Sequence, residues 1–308
     1  MILAAGLSPA WQQIVLLEAL HLGEVNRASE VHWCASGKVL NVGLALHHLG
    51  AKSLTLSPLG GANGAAIGGE FARLGAPYRW TPASAATRVC TTLLDKTGGT
   101  TTEIVENAGA MTEEEIAAFL AAYTEEAARA AIVVLTGSLP AGVPAGFYHQ
   151  LLKRTPGHAI LDIRGPELLE ALAHKPLLVK PNREELGMTV DRDVHDDREL
   201  RTAMHELRDR GAQWALITDG PELAWLAGPL GDVYRVMPAM TDAVNAIGCG
   251  DCLAAGIAAA LAAGRPMPQA VRYGFAVAAE NARQLLPSRI SPAALEAIEQ
   301  RVEIRQVA

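Results

Sequence analysis

Residues 244–264 read VNAIGCGDCLAAGIAAALAAG. Gly248 and Gly250 flank Cys249, Asp251 follows, and an alanine-rich run of helical composition begins at once. Glycines let the backbone turn tightly and aim successive N–H groups into one space. The helix that starts there adds about half a unit of positive charge at its N-terminus. The stretch therefore predicts an anion cradle, in which the amides of Gly248, Cys249, Gly250 and Asp251 face a phosphate oxygen or a migrating phosphoryl group. Asp251, at the helix entrance, is placed to take the proton of an attacking hydroxyl. Taken alone, the same residues also describe an ordinary capped helix start, because a single Gly-x-Gly carries little information.

Upstream, apolar runs alternate with helical patterns. AIVVLTGSLP (131–140), HAILDI (158–163), PLLVKPN (176–182) and WALITDG (214–220) read as buried strands that end in polar or Gly/Pro turns. Helices are predicted over 112–130, 145–154, 166–174 and 196–211, the first with Thr112 as its N-cap and acidic residues in its opening turn. Strands spaced by helices imply βαβ units and a parallel sheet covered on both faces. Residues 11–34 and 88–107 break this rhythm with period-two patterning, the second around a Gly-Gly turn, and predict a small antiparallel sheet. The expected division is thus an α/β core of residues 1–10, 35–87 and 108–308, with a β lid built from 11–34 and 88–107.

Bulk properties narrow the function. With 308 residues, half of them apolar and 19% charged, the chain can bury a large core. The net charge of −7 and the lack of any Lys/Arg-rich run argue against a nucleic-acid partner. Four cysteines do not make a disulfide scaffold, so a reducing, cytoplasmic setting is expected. MILAAGLSPA reads as a first strand rather than a signal peptide, and LAAGIAAALAAG (253–264) is too short for a membrane span.

The ordered motifs LGEVNRASEV (22–31), LTGSLPAG (135–142), VKPNREEL (179–186), ITDGPELA (217–224) and the Gly-x-Gly-Asp turn resemble the phosphofructokinase-B family of carbohydrate kinases, also called ribokinase-like. Val244-Asn245 before the turn resembles its hexose-phosphate branch, 1-phosphofructokinase and tagatose-6-phosphate kinase. The resemblance covers nearly the whole chain. It implies an α/β/α sandwich with a small antiparallel lid, and phosphoryl transfer from ATP to a sugar hydroxyl with Mg²⁺. Asp251 would be the base. Lids of this kind often pair between subunits, so a homodimer is expected by resemblance.

The resemblance also assigns roles. Lys180, Asn182, Thr218, Gly220 and Asn281 would serve the nucleotide, with Asn182 and Glu185 reaching Mg²⁺ through water. Asn182 and Glu185 stand i, i+3 after a buried strand, and the plain reading of that spacing is a helix cap. Arg27, Lys38 and Arg88 would meet a substrate phosphate, and arginine's planar fork suits that task. Gln12, Gly37, Asn41 and Ser138 would hold the sugar, although Asn and Ser also cap turns routinely. A kinase of a neutral sugar or nucleoside, or a binding protein without turnover, remain the alternatives.

The chain departs from the family pattern at three places. Asn-Pro-x-x-Asp appears as Ser8-Pro9-Ala10-Trp11-Gln12, an amide replacing a charge. Gly-Gly-Lys-Gly-x-Asn appears as Ser36-Gly37-Lys38-Val39-Leu40-Asn41, and Val39 is expected to crowd the ligand. Leu223 stands where Gly is common. Finally, Cys249 and Cys252 form a Cys-x-x-Cys at a helix N-terminus, a position that lowers thiol pKa. Redox or zinc chemistry is the sharp alternative, but no second pair completes a zinc site and the motif is embedded in the Gly-x-Gly turn, so inactivation by oxidation stands only as a hypothesis. The nine histidines show no ligand spacing, and His47-His48 reads as a helix-surface pair.

Overall fold

The computed structural model describes residues 1–307; Ala308, the last residue of the expected core, lies outside them. In chain order the elements run β1 (Ile2–Ala5), β2 (Ala10–Leu17), β3 (Glu30–Ser36), α1 (Lys38–His48), β4 (Ser53–Leu59), α2 (Gly61–Leu74) and β5 (Tyr78–Pro82). Then come β6 (Arg88–Asp95), β7 (Thr100–Val105), α3 (Glu113–Ala127), β8 (Ile132–Thr136), α4 (Phe147–Leu152), β9 (His158–Asp162) and α5 (Pro166–Ala171). The last part holds β10 (Leu178–Val179), α6 (Arg183–Val190), α7 (Asp197–Asp209), β11 (Trp214–Ile217), β12 (Ala224–Ala227) and β13 (Val233–Met237). It ends with α8 (Cys249–Ala262), α9 (Met267–Ala282), α10 (Pro292–Glu299) and β14 (Glu303–Gln306).

Ten strands form one sheet in the order β14-β13-β12-β11-β10-β9-β8-β1-β4-β5. From β11 to β5 every pairing is parallel. The apolar runs explain it, because each strand buries both faces. Leu3, Ala5, Val133, Leu135 and Leu161 face Phe119, Tyr123, Phe147 and Met204 of α3, α4 and α7. Their neighbours Ile2, Ala4, Ile132, Val134 and Ile160 face Val42, Leu253, Ile257 and Phe275 of α1, α8 and α9. Alternate side chains thus feed two cores, which is why the runs are continuous rather than alternating. Thr112 caps α3 in a reciprocal capping box with Glu115, as its sequence implied.

The edge of the sheet differs from expectation. β12, β13 and β14 are antiparallel. Only residues 218–223 separate β11 from β12, too few for the crossover a parallel pairing requires. The predicted strand 176–182 shrinks to Leu178–Val179, since Pro176 and Pro181 donate nothing to a ladder.

The lid is a four-stranded sheet, β3-β2-β6-β7. β2–β3 and β6–β7 are antiparallel, the latter around Gly98-Gly99 with Gly99 at φ +61°. The two hairpins join through β2 and β6 in parallel, Ala10 opposite Arg88 and Leu17 opposite Asp95. Residues 37–87, between the two hairpins, return to the large sheet, so β2 and β6 leave it in the same direction. Among the described residues no helix is long and apolar enough to cross a membrane.

α8 and α9 touch backbone to backbone. A Cβ on Gly274 would stand 2.8 Å from the Leu253 carbonyl oxygen and 2.7 Å from Ile257 Cγ1. Gly274→Val should therefore cost about 1–3 kcal/mol and lower the melting temperature by several degrees in calorimetry. Gly69→Ala, at a helical glycine with nothing within 4 Å, should leave it unchanged or slightly raised. Equal melting for both variants would mean the α8–α9 contact is not tight.

Candidate active site

A cleft of about 650 Å³ opens at the carboxyl ends of the parallel strands, under the lid. That is where open α/β sheets gather ligands. At its floor Gly248 takes φ +79° and starts α8, so Asp251 falls in the first helical turn. A side chain at 248 would be strained there and would also press on Asn41 Nδ2 at 3.1 Å. The cradle is narrower than its sequence implied, because the Cys249 N–H is used internally, donating to the Ala246 carbonyl at 3.2 Å. Gly250 and Asp251 occupy the first turn, whose amides have no helical acceptor.

Asp251 is 6% exposed, and Asn41 Nδ2 donates to its Oδ2 at 2.8 Å. Ser36 Oγ donates to Asn41 Oδ1 at 3.0 Å and so fixes which end of that amide faces the carboxylate. A glycine at 36 could not do this. Burial, reinforced by the negative charge of Asp162, pushes the Asp251 carboxyl up to about 6, against the pull of Lys38, Asn41 and Lys180.

Asp162 closes β9 and was not singled out in the sequence. It is 1% exposed and accepts from two lysines, Lys38 at 3.4 Å and Lys180 at 3.3 Å. Burial alone would favour its neutral form, but Lys180 and Lys38 outweigh that and hold its pKa below the usual carboxylate range. Lys38 also reaches Glu185 at 3.3 Å. Its ammonium resists deprotonation because Asp162, Glu185 and Asp251 overcome the penalty of burial. Asn182 and Glu185 form a full capping box on α6: Glu185 N–H donates to Asn182 Oδ1 at 2.7 Å and Asn182 N–H to Glu185 Oε2 at 3.1 Å. Both still line the cleft.

Gln12, Gly37, Lys38, Asn41, Arg88, Lys180, Asn182, Glu185, Thr218, Gly220, Gly248, Cys249, Gly250 and Asp251 meet around this one cleft. Three expected residues do not. Arg27 lies exposed in the lid loop between β2 and β3. Ser138 sits outside, its carbonyl accepting from Ser8 Oγ at 2.5 Å. Asn281 is fully buried behind the Gly-x-Gly turn, donating to the Ile247 carbonyl at 2.9 Å and accepting from the Ser288 N–H at 2.6 Å. It braces the turn. Val39 does not crowd a ligand, because it is 1% exposed and packs into a core cluster with Leu40, Leu44 and Phe71. The cleft also has an apolar arm, made by Pro238, Ala239, Met240, Phe275, Ala278 and Ala279, which was not singled out in the sequence.

The two cysteines at this turn do not have the lowered pKa that a helix N-terminus would give them. Burial pushes Cys249 up to about 11, despite a favourable hydrogen bond from Asn281. Cys252 is fully buried, and burial drives its thiol well above the ordinary range. The helix N-terminus does not compensate for the loss of water. His48 is likewise no simple surface residue, since burial and the nearby Arg289 push it down to about 4.

The profile of the pfkB family of carbohydrate kinases matches residues 10–293. Phosphofructokinase-2 from Escherichia coli, in its tetrameric inhibited form, superposes with a TM-score of 0.87 at 25% identity, covering 97% of this chain and 98% of that one. Its complex with fructose-6-phosphate gives 0.85 at 24% identity, covering 97% and 99%. A Thermotoga maritima protein described as a possible 1-phosphofructokinase gives 0.90 at 21% identity, covering both chains completely.

Thiol chemistry offers a direct check on the site's dryness. Cys34, Cys90 and Cys252 are buried and Cys249 half-buried. Maleimide labelling of the native protein at pH 7.5 should be slow at all four, and complete within minutes once guanidinium unfolds the chain. Fast native labelling at 249 would contradict the raised pKa.

Proposed function

The chain belongs to the pfkB family of carbohydrate kinases, and on that premise we propose that it transfers the γ-phosphoryl group of ATP to a hydroxyl of a phosphorylated hexose, in the manner of fructose 1-phosphate, fructose 6-phosphate or tagatose 6-phosphate as acceptor. The observation that carries this reading is the placement of Asp251: a buried carboxylate with one oxygen fixed by Asn41, at the head of α8, in the same cleft as two lysines and an arginine.

In the proposed step the acceptor oxygen attacks the γ-phosphorus. Its proton passes to Asp251 Oδ1, the oxygen left free by Asn41. The bond from phosphorus to the bridging oxygen breaks, and its electron pair leaves with ADP. Lys38 and Lys180 keep the neighbouring Asp162 ionised without repelling phosphate, and the first-turn amides of α8 meet the charge in flight. The apolar arm suits a planar base, with Thr218 and Gly220 at its polar margin. Among the described residues no three His, Cys, Asp or Glu side chains form a closed metal cage. An ion such as Mg²⁺, which keeps several waters and takes phosphate oxygens, would suit the oxygen donors that line the cleft, Asn182 and Glu185 among them. Asn182 and Glu185 are the residues to hold those waters, and the ion would supply charge neutralisation.

A second reading, a neutral sugar as acceptor, draws on Arg88 and Arg27. Arg88 already donates to the Glu106 and Ser8 carbonyls at 2.9 and 3.2 Å, and Arg27 lies outside the cleft. We also propose a homodimer. Opposite its cleft face the lid exposes Trp33, Val31 and Ile104, at 44%, 46% and 58%, a surface that a second copy would cover and that light scattering would detect.

Coupled assay of ADP release over a panel of hexose phosphates and neutral sugars tests the reading. Asp251→Asn should lower kcat about 10²–10⁴-fold with nucleotide affinity changed little; turnover left intact would end the proposal. Because the base must be ionised and its pKa is raised to about 6, kcat/KM should climb through an inflection near pH 6 and fall tenfold per unit below it. Asn41→Ala, which removes a bond favouring the charged form, should move that inflection upward. Arg88→Met should raise the KM of a phosphorylated acceptor roughly tenfold to a hundredfold, and leave a neutral one nearly untouched.

A further inference from the structure

The lid supplies a wall of the cleft through strand register. Gln12 stands opposite Cys90, and Cys90 opposite Val105. One row on, Ile14 stands opposite Thr92, and Thr92 opposite Glu103. Opposite residues share a face of a pleated sheet and alternate residues return to it. Arg88, Gln12, Cys90, Thr92, Glu103 and Val105 therefore all lie on the cleft side, and all but the buried Thr92 line the cavity.

Three of these residues carry unspent polar capacity. Gln12 is 1% exposed and its Nε2 donates to Thr92 Oγ1 at 2.7 Å, which leaves its carbonyl oxygen as an acceptor. Arg88 Nε is buried without a partner. Glu103, next to Thr92 on the outer strand, has no hydrogen bond or ion pair among the described residues. Although open to solvent, its carboxyl is pushed up by the surrounding protein, and Arg88 offsets this only in part. A carboxylate facing a cleft repels a phosphate and accepts from hydroxyls. An acceptor that shuts out water while leaving it unpaired would lose the free energy of its hydration.

We propose that Glu103 determines acceptor specificity: its carboxylate accepts a hydrogen bond from a hydroxyl of the sugar, while the Gln12 carbonyl reads a neighbouring hydroxyl. The charge that the family pattern places at position 12 is thereby supplied from β7, diagonally across Thr92. This inference rests on the reading of a sugar phosphate as acceptor.

The test compares the unaltered enzyme, Glu103→Ala and the nearly isosteric Glu103→Gln, using the hexose phosphate with the highest turnover and its monodeoxy analogues. ADP release gives KM and kcat for each, with the KM of ATP and the melting temperature measured alongside. Glu103→Ala should raise the acceptor KM roughly tenfold to a hundredfold, with the KM of ATP unchanged and Glu103→Gln in between. One deoxy analogue should cost the unaltered enzyme a similar factor, yet cost Glu103→Ala almost nothing more. If every deoxy analogue costs both proteins equally, or if the acceptor KM does not move, Glu103 is not the reader and this inference alone falls. An unaltered enzyme that phosphorylates no hexose phosphate removes the acceptor reading and this inference with it.

Discussion

Two lysines closing on one buried carboxylate organise the cleft. Lys38 begins α1, Lys180 follows β10 and Asp162 ends β9, and only the parallel sheet brings them within 3.4 Å of one another's charges. Desolvating such a cluster costs about as much as its attraction returns, so it is weak evidence of stability. Its value is electrostatic. With two cations fixed beside it, Asp162 stays charged at the strand end, and its charge in turn keeps the neighbouring Asp251 reluctant to ionise. The raised pKa of Asp251, the proposed base, and the two ammonium groups open to a phosphate arise from one cluster of five side chains, counting Glu185.

The chemistry-bearing turn was legible because its signal is local. Gly248, Gly250 and Asp251 sit within four residues and need no partner to be recognised. The Lys180–Glu185 segment was legible for the same reason, and there the plain reading holds, since Asn182 and Glu185 cap α6, while both also line the cleft. The parallel sheet could be read from apolar runs, but its antiparallel edge depended on the length of one turn. Asp162 was hidden because a single acid ending HAILDI looks like any strand terminus. Glu103 was hidden more deeply, because its facing depends on β7 pairing with β6 and on β6 pairing with β2, whose partners such as Ala10 and Arg88 are distant in sequence. Arg27, Ser138 and Asn281 were placed by motif, and motif does not say which way a side chain turns.

The Cys-x-x-Cys pair illustrates a competition of magnitudes. A helix N-terminus offers about half a charge, effective over one turn. Full burial removes the hydration of a whole thiolate, and an adjacent Asp251 adds repulsion. The larger effect wins, and Cys252 packs beneath the Gly-x-Gly turn. Asn281 shows the same economy, its amide holding the Ile247 carbonyl from behind while the turn lines the cleft.

The parallel seam between β2 and β6 has a mechanical consequence. It stitches two hairpins from distant parts of the chain into one leaf, suspended from the large sheet by four strand crossings. Gln12, Arg88 and Glu103 ride on that leaf, while Asp251 is rooted in a helix pressed backbone to backbone against its neighbour. Any swing of the leaf would carry all three side chains together relative to Asp251, so the contacts proposed for them would form or part as a unit.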